Sequence, residues 1–122
     1  MNTTLDLFEA AIVSLTRPTP IKDRLTDAYR NHLAFVDERD LPAEISEEFR
    51  GLIYSLTREP PMIRNEDSLR ATVRKMSNNE AAEAASTVVR MFSAVLRANA
   101  DAAVATDADP NKVVPIYTAK AQ

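Results

Sequence analysis

The chain has 122 residues, with 15 Lys or Arg against 18 Asp or Glu, one His, one Gly and no Cys. That length fits one domain large enough to bury a core without staples, and the composition excludes a disulfide framework, a thiolate nucleophile and a site built from several His ligands. One Gly cannot supply a phosphate-cradling or dinucleotide loop, and abundant Ala with few β-branched runs argues against a sheet. No window approaches the ~20 apolar residues of a membrane span, and the N-terminus lacks a basic stretch. We expect a cytoplasmic protein without export signal or membrane anchor.

The first helix is expected from about Thr4 to Thr16, capped by Thr3 or Thr4, with Leu5, Phe8, Ala11, Ile12 and Leu15 on one stripe. Arg17-Pro18 stops it. Thr19-Pro20 opens a second helix whose stripe runs through Ile21, Leu25, Ala28, Tyr29, His32 and Val36 toward Arg39, the longest of the first four. Asp40-Leu41-Pro42 restarts the pattern, and Ile45, Phe49, Leu52, Ile53 and Leu56 mark a third buried face. A short fourth helix follows from Asn65 or Glu66 to Met76. Ser77-Asn78-Asn79-Glu80 reads as a capping box that starts a fifth helix reaching about Ala103. Residues 1–105 are therefore expected to form one helical domain, and 106–122 a flexible tail with an apolar cluster at Val113, Val114, Ile116 and Tyr117.

Ser-Leu-Thr-Arg occurs twice, at Ser14–Arg17 and Ser55–Arg58, each time at the end of an apolar segment and before a proline connector. The likeness extends outward, pairing Phe8 with Phe49, Ala10 with Gly51 and Ile12 with Ile53. We read one helix–loop–helix unit used twice. Two such units are too few for a solenoid, so the expected fold is all-α: a compact bundle of about five helices, two pseudo-repeated helical hairpins plus a long C-terminal helix.

The chemistry-bearing residues are sparse. His32, the single histidine, lies on an apolar stripe and reads as a packed residue rather than a catalytic base. The acidic run Asp37-Glu38-Arg39-Asp40 lacks the Gly of a tight cation loop and reads as a solvated helix lead-in. No nucleophile–base pair, metal set or cofactor site is legible, so the chain reads as non-enzymatic, with no cofactor.

Two surfaces remain. Arg64, Arg70, Arg74 and Lys75 form a candidate basic patch for a protein partner on the fourth helix. With the turn at Ser77 they also outline a helix–turn–helix, but Glu80 and Glu83 stand where a recognition helix carries base-reading side chains, which counts against nucleic acid. The fifth helix repeats Ala81, Ala85, Val88, Phe92, Val95, Asn99 and Ala102 at 4-3 spacing, so Val88, Phe92, Val95 and Asn99 form a candidate homodimer seam, Asn99 resembling a register-fixing polar residue. The resulting reading is a small interaction or regulatory protein that self-associates, with the basic helix or the Val113–Tyr117 cluster as partner element; a nucleic-acid-binding regulator is the alternative.

Overall fold

The computed structural model describes residues 3–107, and side chains through Ala102. Among the described residues five α-helices make an all-α bundle: α1 (Thr4–Leu15), α2 (Ile21–Asn31), α3 (Ala43–Thr57), α4 (Ser68–Lys75) and α5 (Asn78–Asp107), with 3-10 turns at Leu33–Phe35 and Glu38–Asp40. No strand occurs among the described residues. α5 runs two residues past the expected domain boundary, and the Val113–Tyr117 cluster lies outside the described residues.

Helix ends follow local chemistry. The Thr3 hydroxyl accepts from the Asp6 N–H at 3.1 Å while the Asp6 carboxylate accepts from the Thr3 N–H, closing a capping box on α1. The same reciprocal pair starts α5, with Ser77 N–H donating to Glu80 at 2.8 Å and Glu80 N–H donating to the Ser77 hydroxyl at 3.0 Å. At the other end of α1, the Arg24 guanidinium donates at 2.7 Å to the Leu15 carbonyl, an acceptor that the end of a helix leaves open, and at 2.7 Å to the Thr19 carbonyl in the connector.

Two expected boundaries move. α2 stops at Asn31 rather than near Arg39: His32 leaves helical geometry, and the Asp37 side chain accepts from the Arg39 N–H, offering the backbone an alternative to helix. The break turns Leu33 and Leu41 into the core and leaves Phe35 70% exposed. α3, with 15 residues against 11 in α2, is thus the longest of the first four. α4 starts at Ser68, because Asn65 adopts a left-handed φ of 65° and Asp67 caps the helix by accepting from the Arg70 N–H.

α5 is the central element, packing on α1, α2 and α3. α1 runs against it: Leu15 shares a groove with Ala85 and Val89, and Leu5 shares another with Asn99. α2 and α4 are antiparallel, tied by Lys22 Nζ donating to the Arg74 carbonyl at 3.2 Å and by the Arg30–Asp67 ion pair at 2.9 Å. The two repeat units close differently. α1 and α2 are joined by residues 16–20, whereas residues 58–67 link α3 to α4 and are held along the way by the Glu59 N–H donating to Thr72 Oγ1. Phe8, Leu25, Leu33, Leu56, Val88 and Met91 form the fully buried centre, each contributing about 1.5–3 kcal/mol by burial.

Candidate interaction surfaces

The 4-3 seam on α5 is rotated from its expected setting. Ala81, Ala84, Val88, Met91 and Val95 face the core, and Met91, off the expected seam, is 1% exposed. Val88 and Val95 are therefore covered by the chain's own helices, Phe92 is half-buried, and Asn99 and Ala102 are exposed. What α5 presents outward is the adjacent stripe: Val89 and Leu96, 48% and 47% exposed, with Phe92 between them and half-buried Ala85 before them. Those positions again follow 4-3-4 spacing. At its Val89 end the stripe opens into a groove of about 490 Å³ bounded by Leu15, Ile21 and the stem of Arg24. The signal was present in the sequence, since Val89, Met91 and Leu96 widen the apolar arc, but spacing alone does not say which of two neighbouring stripes faces inward.

Two of the four basic residues are tied to acids. Arg74 is bound to Glu66 at 2.8 Å, and Lys75 turns toward α3 to meet Glu59 at 3.1 Å. Arg64 sits in the linker ahead of α4. Arg70 and Arg74 do share a cleft with Lys22, but Asp23 and Glu66 line it too. Glu66 is the organising residue that sequence reasoning missed. Its side chain is only 9% exposed, and it accepts from Arg74 and from the Met62 and Ile63 N–H groups, which holds its carboxyl below the usual range. Nothing local in the sequence marks Glu66 as Arg74's partner, because the contact spans the linker turn.

Two carboxylates of the acidic run are paired. Asp37 accepts two guanidinium bonds and the backbone N–H of Arg39, which lowers its pKa to about 2, and Glu38 pairs with Arg50 at 2.9 Å. Among the described residues no three His or carboxylate side chains are grouped to hold a metal ion.

His32 is half-buried and lines a shallow groove with Ser14, Asp6 and Glu9. A serine, a histidine and two acids thus share one depression, but no hydrogen bond joins them.

Ala10, Ser14 and Arg17 line that groove, and their repeat equivalents Gly51, Ser55 and Arg58 line a larger one, about 540 Å³, between α3 and α5. Its floor holds Leu52, Met76 and Ala84. Gly51 itself is helical, and a Cβ there would meet nothing within 4 Å. A mid-helix Gly costs about 0.8–1.0 kcal/mol relative to Ala, and no packing requirement inside this chain explains it.

No helix among the described residues is long and apolar enough to cross a membrane. Compared with protein-family models, with curated proteins and with solved structures, the chain matches none.

Proposed function

We propose that this chain is a small, non-enzymatic interaction or regulatory module that self-associates through the outer stripe of α5. The observation that carries the reading is the pair Val89 and Leu96, two large apolar side chains one heptad apart, about half exposed, on a helix otherwise central to the bundle. α5 has 30 residues and is about 45 Å long, against roughly 18–23 Å for α1 and α3, so its neighbours cover only part of it. A second copy laid along the stripe buries what they leave open. We assign the module to the cytoplasm on its cysteine-free composition.

Size-exclusion chromatography with light scattering tests this directly. The wild type is expected to run as a dimer, and the Val89→Glu, Leu96→Glu double variant as a folded monomer, since both side chains lie outside the core. A monomeric wild type at concentrations near 100 μM, where a Kd of that size corresponds to only about −5.5 kcal/mol, sinks the reading. Phe92→Glu is the poorer probe because Phe92 also packs on the chain's own core.

The rival, a nucleic-acid regulator built on α4 and the start of α5, has fewer available cations than the sequence suggests. Arg74 and Lys75 are paired, and Glu80 and Glu83 occupy the first turns of α5. Phosphate attraction scales with the cations that can be offered to the backbone.

A further inference from the structure

The α3–α5 groove combines three observations. Its floor is apolar, at Leu52, Met76 and Ala84. Its walls carry Glu48, Glu80 and Glu83, and Glu83 has no ion-pair partner among the described residues. Cations stand toward the two ends: Arg58 lines it near the Glu80 end, where Lys22 also acts on Glu80, and Arg90 lies 3.6 Å from Glu48 at the other. The middle of the groove is therefore anionic above an apolar floor. The third observation is Gly51, which carries a helix-propensity penalty that neither φ nor crowding within the chain requires. A missing Cβ on an open wall lets another backbone approach closely.

We propose that this groove binds one face of a cationic amphipathic helix from a partner protein, with the partner backbone close over Gly51 and its Lys or Arg side chains against Glu48, Glu80 and Glu83. The groove extends along α5 from Glu80 to Thr87, about 10 Å or two helical turns at the standard rise. That length suits apolar residues at i and i+4 of the incoming helix, seated on Leu52, Met76 and Ala84, with flanking cations reaching the walls. A lipid surface lacks such a fit, because the carboxylates repel anionic headgroups. The inference rests on the reading of the chain as an interaction module, and not on self-association, since Val89 and Leu96 do not line this groove.

The test is an amide NMR titration of the full chain with a stapled Leu/Ala/Lys amphipathic helix, and with the same peptide carrying Glu at every Lys. The lysine peptide is expected to shift the amides of Gly51, Ser55, Glu83, Ala84 and Thr87, and the glutamate peptide to leave them unmoved. Gly51→Leu, which fills the groove, and Glu83→Lys are each expected to weaken binding roughly tenfold or more. Shifts confined to other surfaces, equal binding of both peptides, or wild-type affinity in a folded Gly51→Leu variant overturn the proposal. Should Gly51→Leu lose its cooperative melt, Glu83→Lys, an exposed position on α5, decides by the same criterion. Light scattering on the same samples separates the two readings: a monomer that shows groove shifts ends self-association and keeps the groove, and a dimer without them does the reverse.

Discussion

Phe8 and Phe49, the aromatic positions shared by the two sequence copies, lie ring to ring with centroids 6.0 Å apart and planes inclined at 59°. Both are buried, as are the repeat equivalents Leu15 and Leu56. Truncating either ring to Ala is expected to cost about 3–5 kcal/mol, a large part of a small domain's stability. Phe8→Leu and Phe49→Leu are the informative pair: a double-mutant cycle in urea should return a coupling of about 0.5–1.5 kcal/mol. Strict additivity would show that the rings merely share a core.

Asp37 and Arg39 give a pH signature. The Asp37 carboxyl titrates near 2, against an ordinary value of 3.8, because the Arg39 side chain and backbone N–H bind its charged form. A lowered pKa in the folded state means that the stabilisation is present above about pH 4 and is lost as pH falls from there toward 2. Carboxyl NMR should place the wild-type midpoint near 2 and move it up toward the ordinary range in Arg39→Ala. A wild-type midpoint close to 4 contradicts the geometry.

Arg70 and Arg74 look interchangeable in the sequence and differ in the structure. Arg74→Ala strips Glu66 of its partner and is expected to loosen the linker turn, raising exchange of the amides at Met62 and Ile63 on the order of tenfold. Arg70→Ala, exposed and without an ion pair among the described residues, should leave those amides unchanged. Equal effects from the two substitutions would remove the structural role assigned to Arg74.

Asn65 is the one described residue other than Gly with positive φ, at 65°. Asn tolerates that region and a β-branched residue does not, so Asn65→Val is expected to destabilise by about 1–2 kcal/mol while Asn65→Gly stays within about 0.5 kcal/mol. Thermal melts of the two variants distinguish them. The companion test at the next junction is Ser77→Ala, which deletes the acceptor for the Glu80 N–H and should cost about 1 kcal/mol.

What could be read in advance was what is decided locally. Ser77 with Glu80 declares a helix start in four residues, and the periodic Phe49, Leu52 and Leu56 declare a buried face, because both depend on neighbours in the chain. The end of α2 was not legible. Val36 continues the helical stripe, yet burying Leu33 and Leu41 and capping by Asp37 together outweigh it. The setting of α5 was equally hidden: Met91 and Phe92 are adjacent and both apolar, and only the packing of α1, α2 and α3 selects Met91 as the inner residue. Among the candidate sites, Val88 and Val95 proved to be core, and Arg74 and Lys75 proved to be tied to acids contributed from the linker. For the setting of α5 and for Lys75 the deciding partners are distant in sequence, whereas Asp37 and Glu66 act at short range through backbone geometry that periodicity does not record.

The antiparallel contact of α1 with α5 also sets a schedule for biosynthesis. Phe8, Ala11 and Leu15 belong to the same core as Val88, Met91 and Val95, so the apolar face of α1 leaves the ribosome long before its cover exists. α1 and α2 can pair at once through a short turn that Arg24 ties, but that pair still shows an open face until α5 has been translated. At roughly 5–20 residues per second, the interval between α1 and α5 lasts several seconds. During it, the nascent hairpin is exposed to chaperones and to other nascent chains of its own kind.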